Sequence, residues 1–278
     1  MSRSGVSVSA VLDESAELVR ALPGWTALLV LTSLPLRFAE AHLVNRLLQL
    51  GKDAPDYLNH LTAVSGVVTL MLLPALWGRA VFVRACGLAL TGGTSGMARM
   101  PWRQVLRLSP AGFVSYLYTA LICETLLVAV GWTMVALPVL ALLTGLAAAT
   151  SDLHERPGLL ASPLVVLRNA RPLWVLVGLA LIVFLMALPI LFLNVSILFG
   201  FLLWLADGTG SFDLSWWRGA LSWENRQFVL LMLEGALLAL DPFWIAALVV
   251  TVRQARARRS GEDLRAWFAS LRSDEEAA

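Results

Sequence analysis

The chain has 278 residues, of which 58% are hydrophobic and only 14% are charged, with a formal net charge of +2. Soluble domains carry about a quarter charged residues, so this composition cannot cover a globular surface with water-facing groups. The small net charge gives no reason to expect nucleic acid as a partner. The only cysteines, Cys86 and Cys123, form neither a Cys-x-x-Cys motif nor a disulfide framework, so we expect no metal and no cofactor.

Uncharged apolar stretches recur at about 20 residues, the length of a helix that crosses a bilayer. They lack the alternation of a membrane β-barrel, so the predicted fold is all-α, a polytopic transmembrane helical bundle. The apolar runs, in chain order, are 23–36 with a helical continuation, 61–83, 110–150, 172–206 and 228–252. The predicted organisation is a transmembrane helical domain, 1–252, that begins with an amphipathic stretch, and a basic tail, 253–278, that contains a short amphipathic helix.

The arginines predict the orientation, because cytoplasmic loops carry an excess of Lys and Arg. Arginines concentrate in the connector 84–107 and in the tail, and Arg79 and Arg84 are taken to mark the exit of the second span. Both termini are therefore expected in the cytoplasm, with the protein in the bacterial inner membrane. An even number of crossings follows. We prefer six, with 194–206 as an outer or tilted extension; eight is the alternative, with a tight turn at Asp241–Pro242.

Three span starts resemble one another, at 18–23, 105–110 and 166–172. Each combines a short amphipathic element, an arginine and a proline that begins the span, and the arginines are Arg20, Arg107 and Arg168. Proline suits the first helical position, and the arginine can reach lipid phosphates. We interpret these segments as membrane-surface elbows and the chain as repeated elbow-plus-hairpin units. Such duplication is typical of transporters but also occurs in structural membrane proteins.

Ionisable residues inside the predicted spans are candidates for function. Arg37 and Glu124 each lie fourteen residues after the proline that begins their span, and Asp241 lies twelve residues before the tail. At about 1.5 Å per residue, all three are roughly 18–21 Å deep and form a predicted buried charged layer. We expect Arg37 to pair with Glu124, Asp241 or both, as a structural ion pair or, alternatively, as a proton or anion site. Two further intramembrane polar residues are Glu40 and Glu234.

Two short segments match parts of known catalytic motifs, but each lacks the histidine that the full motif requires. Gly93-Thr94-Ser95-Gly96 matches the G-x-S-G of rhomboid intramembrane proteases, but no histidine follows in a later span. His154-Glu155 is not followed by the second histidine of a zinc-protease helix. We therefore expect no enzymatic activity.

The end of the last span and the tail form the most specific stretch of the sequence. It resembles a broad group of uncharacterised bacterial integral membrane proteins, related to the membrane domain found beside some glycerophosphodiester phosphodiesterases. The matching positions are Pro242, Arg256, Arg258, Gly261, Asp263 and Leu264, and the departures are Val252, Gln254 and Ser260. The resemblance implies a proline that opens the last span, a bundle of six or more spans, a cytoplasmic C-terminus and no known reaction.

The tail also has a physical interpretation of its own. Arg256 and Arg258 would lie just inside the membrane, where anionic lipid attracts basic residues. The segment 262–272 has apolar residues at helical spacing, so it is expected to lie on the bilayer or on a partner protein. The leading hypothesis is a non-enzymatic scaffold or assembly partner; the alternative is a transporter or permease component with a buried Arg/Glu/Asp layer.

Overall fold

A computed structural model describes residues 8–49, 57–92, 102–108, 110–130, 178–179, 181–208 and 222–260. The regular elements among them are helical and include no strand, which confirms the all-α class. The α-helices are α1 (Val8–Ala21), α2 (Pro23–Gln49), α3 (Tyr57–Gly92), α4 (Trp102–Leu106), α5 (Pro110–Val130), α6 (Leu188–Gly208) and α7 (Arg226–Ser260). A π-helix, Leu181–Ala187, leads directly into α6.

Four of the described helices are long and apolar enough to cross a membrane. These candidate spans are Pro23–Arg46, Thr62–Leu90, Ile182–Leu205 and Arg226–Ala255. The described apolar part of α5, Pro110–Ile122, is shorter than a span. The apolar run 110–150 is long enough to predict two crossings with a turn near Gly131–Trp132, but its part after Val130 lies outside the described residues.

The chain forms two compact units. Unit A comprises 1–22, 83–180 and 243–278, and unit B comprises 23–82 and 181–242. In unit A, α1 buries Val11, Ser15 and Leu18, which recur at the spacing of one helical face. The side-chain amide of Gln254 donates a hydrogen bond of 2.8 Å to Oε2 of Glu14, which ties α1 to the last part of α7 within this unit.

In unit B, α2 and α7 are antiparallel. Two contacts show this: Arg37 donates to Asp241, and Nδ2 of Asn45 donates to Oε1 of Gln227 at 3.3 Å. Residue numbers therefore rise along α2 as they fall along α7. Two aromatic contacts place α6 beside the start of α7: Phe192 with Trp223, at a centroid distance of 6.0 Å, and Phe199 with Phe228, at 6.1 Å.

Two of the predicted elbows lie in the described residues. Pro23 is the first residue of α2 and Pro110 is the first residue of α5. Arg20 lies in the last turn of α1, and Arg107 follows α4 directly. Proline is favourable at both helix starts because the first N–H groups of a helix have no intrahelical acceptor. The segment 166–172 lies outside the described residues.

Two expectations about the last span are wrong. The helix α7 is continuous from Arg226 to Ser260, so Pro242 lies in its interior and does not open it, and there is no tight turn at Asp241–Pro242. An interior proline loses one backbone hydrogen bond, which neighbouring helices can compensate in a membrane protein. Residues 194–206 continue α6 without a break, and most of them fall within the candidate span Ile182–Leu205 found among the described residues.

Candidate functional site: a charged cluster in unit B

Five ionisable side chains from three helices of unit B meet inside the candidate spans. We call them the charged cluster. Its members are Arg37 and Glu40 from α2, Arg79 from α3, and Glu234 and Asp241 from α7. Their side chains are mostly buried, with exposed fractions between 14% and 30%.

Arg37 is the centre of the charged cluster. Its Nη2 donates to both carboxylate oxygens of Asp241, at 3.1 Å to Oδ1 and 2.9 Å to Oδ2. Its Nη1 donates to Oε2 of Glu40 and to Oε2 of Glu234, at 3.2 Å each. One guanidinium therefore contacts three carboxylates, two of them on another helix. Hydrogen bonds between ionised groups are about twice as strong as neutral ones, so these contacts hold α2 against α7.

Arg79 also contacts the Asp241 carboxylate, at an oxygen that Arg37 contacts too. Its Nη2 lies 3.8 Å from Oδ2, beyond hydrogen-bond distance but within the range of an ion pair. This contact brings α3 to the same aspartate that Arg37 holds, so Asp241 links all three helices.

Helical spacing explains why these residues converge. Glu40 lies three residues after Arg37, one turn along α2. On α7, Gln227, Glu234 and Asp241 recur every seven residues, which places them on one face, two turns apart. Over fourteen residues this polar stripe extends about 21 Å, from the first turn of α7 to the middle of its span.

The three helices share a second property at this depth. Each carries an interior proline within five residues of its cluster charge: Pro35 near Arg37, Pro74 near Arg79, and Pro242 directly after Asp241. Because proline has no N–H, the carbonyl four residues earlier loses its helical donor. Each of the three helices therefore loses one backbone hydrogen bond in the turn before its proline, a loss that neighbouring groups in a bundle can compensate.

Counted over the residues that the structure describes, the charges of the cluster do not balance. Two arginines and three carboxylates give 2 − 3 = −1 when all five groups are ionised. An uncompensated charge in the interior of a membrane is unfavourable. The arrangement can therefore hold helices together and can also accept a proton or another monovalent cation. Within the described residues, no group of three or more His, Cys, Asp or Glu side chains is placed to hold a metal ion.

The structure brings Arg37 and Asp241 into contact, and Glu40 and Glu234 join them. Glu124 belongs to α5, and its side chain is outside the described residues. Of the interface arginines, Arg20 and Arg107 are exposed. The others lie, entirely or with their side chains, outside the described residues: Arg168, Arg256 and Arg258.

The prediction that Arg79 and Arg84 mark the exit of the second span is wrong. That candidate span continues to Leu90, beyond both arginines, and the Arg79 side chain is only 14% exposed. The sequence does contain a signal: the apolar residues 80–83 follow Arg79 directly, and all four are buried.

Comparison of the chain with protein-family models, with curated proteins and with solved structures finds no match. The resemblance of the tail to a family of bacterial membrane proteins therefore stays a prediction.

Proposed function

We propose that the protein is a non-enzymatic scaffold or assembly partner in the bacterial inner membrane, in which the charged cluster fixes three spans in register. One observation carries this proposal: both terminal nitrogens of Arg37 are engaged by carboxylates of its own helix and of α7. A cation already surrounded by protein carboxylates is suited to holding helices together, and mutual pairing is the usual state of charges within a bundle.

We further propose six crossings with both termini in the cytoplasm. The antiparallel contacts of α2 and α7 support an even number of crossings, because the chain then enters and leaves the membrane from the same side. The arginines of the tail support the cytoplasm as that side. The repeated elbows support a common hairpin unit, with Pro23 and Pro110 as equivalent starts.

A second candidate function is a transporter or permease component. It is favoured by the surplus negative charge of the cluster and by the polar stripe that leads to it from the start of α7. Asn45 and Gln227 extend this stripe towards the membrane surface. A line of polar groups between a surface and a buried charge is the form that proton and ion pathways take in transporters.

A charge exchange tests the structural role. Arg37→Asp and Asp241→Arg should each lower the free energy of unfolding by about 3 kcal/mol, because each leaves buried like charges unpaired. The double variant should recover more than half of that loss. Arg46→Asp, the same chemical change at an exposed position of α2, is the matched control and should have little effect. A double variant no more stable than the worse single variant would contradict the structural role.

Ion flux separates the two candidate functions. Purified protein in liposomes is subjected to a proton or sodium gradient, and the internal pH or sodium content is followed with a fluorescent dye. The scaffold proposal predicts flux no greater than in protein-free liposomes. Flux that is lost in Glu234→Gln, in a variant with unchanged unfolding, would establish transport instead.

A further inference from the structure

The helix α6 presents two different faces within unit B. One face is occupied: Phe192 and Phe199 contact aromatic rings near the start of α7, and Ser196 between them is 4% exposed. The other face is apolar and open. Its exposed residues include Ile190 (59%), Ile197 (68%), Phe201 (53%) and Trp204 (69%), and Leu198 (56%) and Leu205 (50%) lie on the same side of the helix. A face of this kind could contact lipid alone, so apolarity by itself identifies no partner.

One polar side chain interrupts the open face. Asn194 is exposed and lies twelve residues after Ile182 and eleven before Leu205, in the middle of its candidate span. It is roughly 200° around the helix from Ser196, so it points away from the occupied face. An asparagine that faces lipid at this depth is unfavourable, because hydrocarbon offers its amide no hydrogen-bond partner.

The amide of Asn194 is only partly satisfied. Its Nδ2 donates to the carbonyl oxygen of Ile190 at 2.8 Å. Within the part of the chain that the structure describes, the second N–H and the oxygen Oδ1 have no hydrogen-bond partner. They form one donor and one acceptor side by side, which is the pattern that another carboxamide complements.

The open face also has the spacing of a helix–helix seam. Ile190, Asn194, Ile197, Phe201 and Trp204 are separated by four, three, four and three residues. This is the seven-residue repeat by which two membrane helices pack at a small crossing angle. Asn194 occupies a position within the seam itself, where a buried asparagine specifies register and the number of helices.

We propose that two copies of this chain associate through the open face of α6, with the two Asn194 amides hydrogen-bonded to each other. A two-fold axis places the same residue of both copies together, and a carboxamide is self-complementary. A second copy therefore supplies the missing donor and acceptor without any further polar group. This interface is independent of the charged cluster, none of whose residues lies in α6.

Cysteine cross-linking of the full-length chain in native membranes tests the proposal. Single cysteines are introduced by Ile197→Cys, in the seam, and by Leu202→Cys, which is 49% exposed but about 120° around the helix from the middle of the seam. Both are placed in a background that lacks Cys86 and Cys123. On oxidation, Ile197→Cys should yield at least fivefold more homodimer than Leu202→Cys. Equal yields at the two positions, or adducts with other proteins in place of homodimer, would overturn the proposal.

Substitution of Asn194 tests the role of the amide. In dilute liposomes, energy transfer between donor- and acceptor-labelled chains should show roughly tenfold weaker association for Asn194→Leu. Asn194→Gln, which keeps a carboxamide, should retain most of the association. Leucine is compatible with a membrane helix, and an unchanged unfolding transition shows that the variant is folded. Undiminished association of Asn194→Leu would contradict the proposal. The cross-linking test keeps Asn194 and therefore does not depend on how this variant folds.

Discussion

Gly78 allows α2 and α3 to approach closely, and replacing it with alanine should destabilise unit B. A Cβ atom at this position would lie 1.9 Å from Oγ1 and 2.9 Å from Cβ of Thr32. The Thr32 hydroxyl donates to the carbonyl oxygens of Leu28 and Leu29, at 3.0 Å each, so rotating it away breaks these hydrogen bonds. Even with the hydroxyl rotated away, the two Cβ atoms would be 2.9 Å apart, so the helices would have to separate by roughly 0.6–1.1 Å to reach an ordinary contact distance of about 3.5–4.0 Å.

Overpacking of this kind costs about 1–3 kcal/mol, so Gly78→Ala should lower the free energy of unfolding by that amount. The measurement is equilibrium unfolding in mixed micelles, by titration with a denaturing detergent and detection of tryptophan fluorescence. Gly66→Ala is the matched control in the same helix, because a Cβ there has nothing within 4 Å. It should be neutral or stabilising by up to about 1 kcal/mol, the helix-propensity difference.

Thr32→Ala provides a second control for the same contact. In the Gly78→Ala background it removes Oγ1 but leaves the 2.9 Å approach of the two Cβ atoms, so it should restore only part of the stability. The reasoning is refuted if Gly78→Ala is as stable as Gly66→Ala, or if Thr32→Ala gives no recovery. Because Gly78 precedes Arg79, separation of α3 should also weaken the 3.8 Å contact between Arg79 and Asp241.

Two further substitutions test local contacts, each by the same unfolding measurement. Gln254→Asp places a carboxylate beside Glu14 and should cost about 1–2 kcal/mol, most of it recovered by adding Glu14→Gln. No loss in Gln254→Asp would argue against that contact. Asn225→Ala removes the Oδ1 that accepts from the Gln227 N–H at 3.0 Å at the start of α7 and should cost about 1 kcal/mol. Asn225→Asp should keep the cap, and equal losses in both variants would rule out capping.

Part of the charged cluster could be anticipated by counting residues from the membrane surface. Fourteen residues from Pro23 and twelve from the tail place Arg37 and Asp241 at similar depth, and the structure brings them together. Depth alone does not identify the partner of Arg37, because Asp241 and Glu124 lie at a similar distance from the surface. Which helices are neighbours depends on packing between segments that are far apart in the chain.

The position of Arg79 was predicted wrongly for a physical reason. Arginines are common at the cytoplasmic ends of spans, so an arginine near the end of an apolar run indicated a boundary, although the four residues after it are buried. The predicted helix boundary at Pro242 was also wrong. Proline is a strong helix breaker in water, but in a bundle the neighbouring helices compensate the lost hydrogen bond, so α7 continues through it.

The sequence by itself determined that the chain forms helices long and apolar enough to cross a membrane, because apolar runs of bilayer length leave the backbone no other way to satisfy its polar groups in lipid. It also determined where α2 and α5 begin, since proline at the first helical position is a local effect. Only the tertiary structure decided that one guanidinium contacts three carboxylates and that Asp241 receives a second arginine. Side chains up to 204 residues apart meet there, and such contacts follow from how helices pack, which no local pattern specifies.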